Sequence, residues 1–373
     1  MKIVADENLA FTDYFFAEFG EIRQAAGRTL SHADVQDASA LLVRSVTKVN
    51  QALIQHTALE FVGSATIGTD HLDIAALQRQ GIAWSNAPGC NAQAVAEYVI
   101  AALLHLRPEL LDAGQSFSLG IVGLGNVGSR LAAMAKLLGW NVIGYDPYVQ
   151  LEGLQQPAFD ELLAQADAVS IHVPLTQTGA HPTYHLINAD ALAKMKHEAI
   201  LINSARGPVV AEADLIADIQ RTGRRVVLDV FEHEPEISEE LLSLISLVTP
   251  HIAGYSLEGK IMGTYQLYQA YCQFAGLPLT RTWQALLPAP AVSQVQVQDP
   301  LTAAHIKQLV HLVYDVRRDD ARFRMAYQGA ASFDAMRKQY PERREWSSLL
   351  VQGSADPRLT ALGFSVSDQS FSN

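Results

Sequence analysis

Short apolar runs separated by stretches with helical spacing occupy the chain from about residue 119 to residue 256. Six runs are rich in Val, Ile and Leu, namely LGIVG, NVIGYD, AVSIHVP, AILINS, RVVLDVF and LVTPHIAG. Apolar runs without polar alternation are typical of strands buried on both faces, as in a parallel sheet covered by helices. The pattern therefore predicts a doubly wound α/β domain over residues 94–256.

A weaker form of the same alternation occupies residues 1–93. We expect strands in KIVAD, ALLVRS, LEFVGS and GIAWS, and helices in VNQALIQH and LDIAALQRQ. The long helical stretch 257–274 follows the last strand of the larger unit, and a return to the smaller unit would complete it. The interpretation is a discontinuous domain of residues 1–93 and 257–286, with a cleft between two hinged lobes.

The segment LLPAP, residues 286–290, contains two prolines and is typical of a linker. The alternating AVSQVQV predicts a strand after it, and we expect a helix opened by Asp299 as N-cap with Pro300 at its first position. Further helices, a strand, a helix and a strand then complete a C-terminal α+β domain of residues 287–373. We assign no function to the tail after Arg358.

An apolar stripe along the first helix of that domain suggests an interface between two copies of the chain. It comprises Ile306, Leu309, Val310, Val313 and Val316. A domain this small does not easily bury such a stripe alone, so a homodimer interface is one interpretation. Charged residues 317–320 would then lie at its rim. The alternative is that the stripe packs within its own domain and the charges form a solvated helix end.

The charge of the chain argues against nucleic acids and membranes as binding partners. Lys and Arg number 27 against 39 Asp and Glu, which gives a formal net charge of −12. A protein this acidic repels nucleic acid and anionic membranes, although a local basic pocket for a small anion is compatible with it. Cys90 and Cys272 lack metal-ligand spacing, and no apolar run is long enough to span a bilayer. We therefore expect a cytoplasmic protein without a metal site.

The stretch GIVGLGNVG places Gly123, Gly125 and Gly128 directly after an apolar strand and at the start of a helix. Glycines at these positions let the backbone approach a pyrophosphate, whose charge the helix N-terminus stabilises. Asp146 ends the next strand, where a carboxylate can accept hydrogen bonds from ribose hydroxyls and repel a 2′-phosphate. The combination predicts an NAD site, although Asp146 before Pro147 is also typical of a turn cap.

Ionisable residues follow the last three apolar runs. Arg206 follows AILINS, a cluster of Glu232, Glu234 and Glu236 follows RVVLDVF, and His251 follows LVTP. Because the carboxyl ends of parallel strands line the ligand crevice, we expect one side chain from each run to meet there. The planar guanidinium of Arg206 can bind a carboxylate and polarise a carbonyl.

Four segments together resemble the D-isomer-specific 2-hydroxyacid dehydrogenases: the glycine loop, SARG, DVFEHEP and PHIAG. The resemblance implies a two-lobed architecture like that of formate and glycerate dehydrogenases, with a Rossmann domain and NAD as cofactor. It also implies that the catalytic residues are Arg206, Glu234 and His251. Glu234 would orient the imidazole of His251, which exchanges a proton with the substrate, whereas we interpret Glu232 and Glu236 as solvated loop charges.

Further stretches resemble one member of this family that acts on a phosphorylated hydroxy acid and has a C-terminal dimerisation domain. They are MKIVADEN, LLVRSVTKVN, ATIGTDHLD, APGCNAQAVAEYV, HIAGYSLEGK, LVHLVYDVRRDDA and ERREWSS. The resemblance implies that the substrate is bound by Ser45, Thr66 and Tyr255. It implies cofactor contacts at Asn126, Val127, Asp146, Val173, Ala205, Asp229 and Gly254. Since a phosphorylated substrate needs a local basic pocket, we add Arg44 and Lys48 as candidates for the phosphate.

Two alternatives remain open at this point. The first keeps the chemistry but changes the substrate to 3-phosphoglycerate or another 2-hydroxy acid. The second is an NAD-sensing interaction protein like the corepressors that share this fold, since a fold alone does not fix a function.

Overall fold

A computed structural model describes residues 1–112 and 114–367 of the chain. Contacts between residues divide the chain into two compact units: Met1–Asn91 with Ser256–Pro288, and Ala92–Tyr255 with the residues from Ala289 onward. The predicted α/β class with parallel sheets is confirmed. Within the described part of the chain, no helix is both long enough and apolar enough to cross a bilayer.

The amino-terminal part of the first unit alternates strands and short helices. In chain order these are β1 (Lys2–Asp6), α1 (Thr12–Phe16), β2 (Glu21–Ala25), α2 (His32–Val35), β3 (Ala40–Val43), α3 (Gln51–Ile54), β4 (Phe61–Ser64), α4 (Ile74–Arg79) and β5 (Ala83–Ser85). The strands form one parallel sheet in the order β2-β1-β3-β4-β5. Asn50 and Asp73 cap α3 and α4 through their side chains, which is why these predicted helices begin there.

The apolar pattern does not predict α1 or β2. The strand β2 has the sequence EIRQA and lies at the edge of the sheet, where none of its residues is fully buried. An edge strand can be polar because one side of it faces solvent. Such a strand therefore leaves no apolar run in the sequence.

Residues 92–255 contain the larger sheet. In chain order the elements are α5 (Ala92–Leu106), β6 (Ser118–Val122), α6 (Asn126–Leu137), β7 (Asn141–Tyr145), α7 (Phe159–Gln165), β8 (Ala168–Ile171), α8 (Ala189–Lys194), β9 (Ile200–Asn203), α9 (Glu212–Thr222), β10 (Val226–Leu228), α10 (Glu239–Leu244) and β11 (Leu247–Val248). The six strands are parallel and lie in the order β11-β10-β9-β8-β6-β7. All six predicted apolar runs form strands. The strand β7 follows β6 in the chain and pairs with one side of it, whereas the next strand, β8, pairs with the other side. The order of the strands therefore reverses at β6.

The helix α11 (Leu257–Ala275) belongs to the first unit. Its aromatic residues Tyr268 and Tyr271 contact Phe16 at ring-centroid distances of 6.1 and 6.0 Å. Leu267 packs so closely on Gly63 in β4 that a Cβ atom there would lie 3.2 Å from its methyl groups. Residues 256–288 thus complete the core of a unit that begins at Met1.

Residues 289–367, here called the C-terminal segment, contain three parallel strands. The elements are β12 (Gln294–Gln296), α12 (Ala303–Val313), α13 (Val316–Ala326), α14 (Ala330–Lys338), β13 (Leu350–Gln352), α15 (Pro357–Leu362) and β14 (Ser365–Ser367). This is the predicted succession of strand, helices, strand, helix and strand. The segment belongs to the same compact unit as residues 92–255, so a separate domain of residues 287–373 stays a prediction. Residues 368–373 of that domain lie outside the described residues.

The predicted start of α12 is wrong. The helix begins at Ala303, and Thr302 caps it by accepting a hydrogen bond from the amide of His305. The carboxylate of Asp299 instead accepts a hydrogen bond from the hydroxyl of Ser354. An Asp-Pro pair before a helix is a frequent start signal, but a threonine three residues further on satisfies the free amides equally well.

The apolar stripe that suggested a dimer interface is covered by the chain itself. Ile306, Val310 and Val316 are fully buried in a core that includes residues of α5. In the adjacent charged stretch, Asp319 is buried and accepts a hydrogen bond from the hydroxyl of Tyr340 at 2.7 Å. The stripe and this carboxylate therefore stabilise the chain's own fold and do not form an exposed surface.

Arg343 attaches the C-terminal segment to α5. Its guanidinium donates to the carbonyl oxygens of Ala253 at 2.9 Å and Ala94 at 2.7 Å, lies 3.5 Å from the ring centroid of Tyr314, and is 4.0 Å from the carboxylate of Glu97. Both side chains are almost fully buried, and burial together with nearby Glu345 raises the pKa of Glu97. A buried charge is tolerated only where such partners surround it.

The helix α13 covers the edge of the larger sheet. Asp320 accepts a hydrogen bond from the amide of Val248 in the edge strand β11 at 2.9 Å. Arg324 donates to the carbonyl oxygens of Leu242 and Ile245. An uncovered edge strand would present unpaired amides to other chains. The C-terminal segment thus completes both the core and the edge of the unit.

Candidate active site

Two of the three glycines after β6 are required by close packing. At Gly123, which has a φ of 93°, a Cβ atom would lie 2.6 Å from the carbonyl oxygen of His172. At Gly128 it would lie 1.9 Å from the carbonyl oxygen of Gly123. Only glycine fits either position, because each neighbouring atom belongs to the backbone. These residues fix the loop against β8 and against its own helix.

Gly125 differs from both, because among the described residues no atom beyond its chain neighbours and its own helix backbone lies within 4 Å of the place where its Cβ would be. It is the N-cap of α6, so open space lies directly over the first amides of a 12-residue helix. Asn126 and Val127 form the first turn there. A helix N-terminus with free space above it suits a pyrophosphate, since free amides and the helix dipole both favour negative charge. The loop therefore fits the NAD group that the sequence predicts.

Other predicted cofactor residues lie beside this loop. Val173 follows β8, and its Cγ1 would be 2.9 Å from a Cβ atom on Gly123. Since β8 neighbours β6 where the two halves of the sheet diverge, Val173 lies at the crevice where this fold binds ligands. Ala205 follows β9, the next strand outward.

Asp146 follows β7 and connects it to the glycine loop. One carboxylate oxygen accepts from the amide of Leu124 at 2.8 Å, and the other accepts from the amides of Tyr148 and Val149. The residue is thus a turn cap, as one interpretation of the sequence held. It also lies next to the glycine loop, where a carboxylate that accepts about four hydrogen bonds retains capacity for ribose hydroxyls.

The loop that carries His251 is organised by Asp229. One carboxylate oxygen of Asp229 accepts from the Thr249 hydroxyl at 2.6 Å and the Ile252 amide at 2.7 Å, and the other accepts from the Ala253 amide at 2.9 Å. Its backbone carbonyl accepts from the amide of His251. Burial raises the pKa of Asp229 although His251 and these hydrogen bonds oppose the rise. The carboxylate that the resemblance assigns to cofactor binding therefore also shapes the loop that carries His251.

His251 and Glu234 form a hydrogen-bonded pair. The Nδ1 atom of His251 lies 2.9 Å from Glu234 Oε2, and Glu234 Oε1 accepts from the amide of Phe231 at 2.9 Å. Burial would raise the pKa of Glu234, but the charge and hydrogen bond of His251 outweigh it and the pKa falls below its ordinary value. With Nδ1 held by a carboxylate, Nε2 is the ring nitrogen that can exchange a proton with a ligand.

The interpretation of Glu232 as a solvated charge is wrong. Its side chain is 12% exposed, and its carboxylate accepts from the amide of Glu212 and pairs with His185 Nε2. Although burial raises the pKa of Glu232, these hydrogen bonds lower it on balance. Glu236 is exposed, as expected. The sequence could not reveal the role of Glu232, because His185 lies 47 residues away from it.

Arg206 follows β9, the neighbour of β10 in the sheet. The side chain of Asn203 shapes its turn by donating to the carbonyl of Arg206 and accepting from the amide of Ala205. Gly207 fits tightly there, since a Cβ atom would lie 1.8 Å from the carbonyl oxygen of Phe231. The loops after β9 and β10 are thus in contact, so the sheet brings Arg206 to the same edge as Glu234 and His251.

The predicted substrate residues of the first unit follow two adjacent strands. Arg44 and Ser45 follow β3, and Thr66 follows β4. Arg44 Nε donates to the carboxylate of Asp6, whose side chain is fully buried, at 3.0 Å. The hydroxyl of Thr66 lies 2.8 Å from that of Ser64.

Ser64 in turn contacts His71 Nε2 at 2.8 Å. Lys48, the second candidate for the phosphate, is exposed. Sequence reasoning missed Asp6, Ser64 and His71, because nothing in their spacing marks them as partners of the predicted residues.

Tyr255, the remaining predicted substrate residue, follows Gly254 in the loop after β11. Its hydroxyl accepts a hydrogen bond from Arg337 Nη2 at 3.2 Å, and its ring meets that of Tyr340 edge-on. Both partners come from the C-terminal segment, and the sequence contains no signal for either.

Among the described residues, no group of three or more His, Cys, Asp or Glu side chains could hold a metal ion.

Two parts of the chain match known families. Residues 111–253 match the NAD binding domain of the D-isomer specific 2-hydroxyacid dehydrogenases. Residues 286–363 match a domain of unknown function (DUF3410). The second match begins at the predicted linker and spans most of the C-terminal segment.

Two relatives and one solved structure illustrate the similarity. The chain is 62% identical to an erythronate-4-phosphate dehydrogenase of Acinetobacter baumannii strain ACICU, over 93% of this chain and 98% of the relative. It is 46% identical to an erythronate-4-phosphate dehydrogenase of Tolumonas auensis, over 98% of this chain and 100% of the relative. The NAD-bound structure of a 3-phosphoglycerate dehydrogenase from Entamoeba histolytica is 24% identical, covering 74% of this chain and 95% of that one with a TM-score of 0.64.

The contrast between Gly125 and Gly128 gives a test of the cofactor site. We expect Gly128→Ala to lower the free energy of unfolding by ~1–3 kcal/mol, since the added methyl group meets backbone. Gly125→Ala should leave stability nearly unchanged but weaken NAD binding roughly 10-fold or more, from a clash of similar size with the ligand. Thermal unfolding and NAD titration measure the two effects. Unchanged NAD affinity in Gly125→Ala would contradict the pyrophosphate assignment.

Proposed function

The chain belongs to the D-isomer specific 2-hydroxyacid dehydrogenase family, and we propose that its reaction is the NAD-dependent oxidation of 4-phospho-D-erythronate to (R)-3-hydroxy-2-oxo-4-phosphooxybutanoate. This reaction is a step in pyridoxine and pyridoxal 5′-phosphate (vitamin B6) biosynthesis. The observation that carries the proposal is the identity of 62% over nearly the full length of a relative with the corresponding name. As a member of this family the chain is an oxidoreductase.

His251 is the proposed acid–base residue. Its Nε2 would accept the proton of the C2 hydroxyl while the C2 hydrogen leaves as hydride. NAD, when bound, accepts that hydride. The hydrogen bond that Nδ1 donates to Glu234 supports this role, because an adjacent carboxylate stabilises the imidazolium that forms.

Arg206 is the proposed anchor for the substrate carboxylate and for the carbonyl that develops at C2. Its support is its place at the end of β9, which lies beside the strand that precedes Glu234 and is separated by that strand from the one that precedes His251. A planar guanidinium can hold two oxygen atoms in a fixed orientation, which aligns C2 for hydride transfer.

The remaining assignments of binding residues also belong to the proposal. For the cofactor they are Gly123, Gly125, Asn126, Val127, Gly128, Asp146, Val173, Ala205, Asp229 and Gly254. For the substrate they are Ser45, Thr66, Tyr255 and Arg44. The fit of the glycine loop to a pyrophosphate supports the first group, and the positions of Arg44, Ser45 and Thr66 at strand ends support the second.

Neither alternative has a specific observation in its favour. The similarity to a 3-phosphoglycerate dehydrogenase, at 24% identity, concerns the fold alone. A corepressor-like interaction protein would not need the pair formed by His251 and Glu234.

We also propose that the chain forms a homodimer through its C-terminal segment and acts in the cytoplasm. The support for the dimer is the resemblance, since the apolar stripe is buried within the chain. Leu312 and Met325 in this segment are 45% and 85% exposed and are candidates for the interface. A full chain that sediments as a monomer at micromolar concentration would exclude the dimer.

Turnover tests the reaction and the role of His251 together. We expect NAD reduction with 4-phospho-D-erythronate to exceed that with 3-phosphoglycerate and D-lactate. Because positioned acid–base transfer contributes ~10²- to 10⁴-fold to rate, His251→Ala should lower kcat by about that factor while NAD affinity is retained. The exposed neighbour His233 provides a matched control, and His233→Ala should behave like the unaltered chain. A fully active His251→Ala variant would remove the acid–base assignment.

The preference for NAD over NADP tests Asp146. Two like charges ~4 Å apart near a protein surface repel by ~1–4 kcal/mol, so Asp146→Ser should improve relative NADP affinity roughly tenfold or more. Serine removes the charge but keeps one acceptor for the amides that Asp146 binds. Titration with both cofactors measures the ratio. Equal affinity of the unaltered chain for NAD and NADP would show that Asp146 does not select the cofactor.

A further inference from the structure

We propose that Arg337, which no sequence motif singles out, binds the phosphate group of the substrate and thereby determines specificity for a phosphorylated acid. The inference rests on the function proposed above and names a residue for one part of that substrate. Arg337 lies in α14, within the region that matches the domain of unknown function.

The side chain of Arg337 is held beside a proposed substrate residue. Its Nη2 donates to the Tyr255 hydroxyl at 3.2 Å. Its guanidinium lies 5.9 Å from the ring centroids of both Tyr255 and Phe333. Contact with two aromatic rings orients the planar group without consuming its N–H donors.

Most of the hydrogen-bonding capacity of Arg337 is unused. Within residues 1–112 and 114–367, its Nε is buried without a hydrogen-bond partner, and no carboxylate lies within ion-pair distance of the guanidinium. Burial favours the neutral form, but Tyr255, Glu234 and Asp229 outweigh it and raise the pKa of Arg337, so the group stays charged. A sheltered guanidinium with free donors and no adjacent carboxylate is suited to an anionic ligand.

Arg343 shows what a purely structural arginine looks like in the same segment. Its guanidinium donates to two carbonyl oxygens, lies over the ring of Tyr314, and has Glu97 at 4.0 Å. Among the described residues, the guanidinium of Arg337 makes one hydrogen bond, and its acceptor is a hydroxyl which is itself assigned to the substrate. The difference separates an arginine that secures the fold from one that is available to a ligand.

The other anionic groups of the proposed ligands already have assigned partners, so the phosphate of the substrate is the group that remains for Arg337. The proposed substrate has a carboxylate at one end, assigned to Arg206, and a phosphate at the other. The pyrophosphate of the cofactor is assigned to the loop at Gly125. Arg44 already donates to the fully buried carboxylate of Asp6, which offsets its charge. In the part of the chain that the structure describes, Arg337 forms no ion pair with a carboxylate, and its charge would shield a phosphate from Glu234 and Asp229.

Comparison of a phosphorylated with an unphosphorylated ligand tests this assignment. Methionine retains the length of the side chain but removes its charge and donors. Hydrogen bonds to charged groups contribute ~1.5–3 kcal/mol, so Arg337→Met should lower kcat/KM for 4-phospho-D-erythronate roughly 10- to 150-fold. The inhibition constant of D-erythronate, which lacks the phosphate, should change less than about threefold, a shift below the contribution of one such hydrogen bond. Arg337→Lys, which keeps the charge, should recover part of the loss.

Arg44→Met is the matched control, because it removes the same groups from the other candidate. We expect it to discriminate less between the two ligands than Arg337→Met does. Equal losses for both ligands in Arg337→Met, or phosphate discrimination lost only in Arg44→Met, would overturn the inference. The NAD affinity and thermal unfolding of each variant show whether the fold is intact. If Arg337→Met does not fold, the same comparison of ligands is made with Arg337→Lys.

The proposed function is tested separately in the same assay. If the unaltered chain turns over a different phosphorylated 2-hydroxy acid, the substrate proposal fails, and the comparison is made with that acid and its unphosphorylated form. Loss of discrimination in Arg337→Met would then still support the phosphate contact, and equal losses would still contradict it.

Discussion

The hydrogen bonds of the buried Asp229 carboxylate hold the loop on which the candidate active site depends. His251 has a φ of 58°, a left-handed conformation that costs on the order of 1–3 kcal/mol for a residue with a side chain. Bonds from the Thr249 hydroxyl and the amides of Ile252 and Ala253 stabilise the turns on either side of it. The Asp229 carboxylate thus fixes the backbone that places the imidazole of His251 beside Glu234.

The C-terminal segment supports the same loop from a different direction. Arg343 donates to the carbonyl of Ala253, whose amide Asp229 already binds, and Arg337 donates to the hydroxyl of Tyr255. The loop after β11 is therefore held by one carboxylate from its own sheet and two arginines from the end of the chain. A segment that matches only a domain of unknown function thus helps to hold the loop that carries His251.

The sequence predicts what depends on local pattern. Buried parallel strands produce continuous apolar runs, so the amino-acid order alone locates six strands and the residues at their ends, including Arg206 and His251. The predicted apolar stripe shows the limit, because periodicity indicates that a helix face is buried but not what covers it, and the stripe in fact spans α12 and the first residue of α13. For the same reason the predicted role of Glu232 is wrong, and the sequence predicts none for Arg337. Their surroundings consist of residues far away in sequence, which no spacing rule connects.

The attachment of the C-terminal segment to α5 also bears on how the protein is made. Arg343 bonds to Ala94, and the amide of Trp346 bonds to the buried carboxylate of Glu97, each across 249 residues of chain. During synthesis, which proceeds from the amino terminus, α5 leaves the ribosome long before these partners exist. Until Arg343 and Trp346 have been synthesised, the apolar faces of α5 and the carboxyl group of Glu97 lack the partners that bury them in the native fold. The unit that contains α5 can therefore finish folding only after residues 343–346 have been synthesised, and apolar surface that is exposed until then favours aggregation.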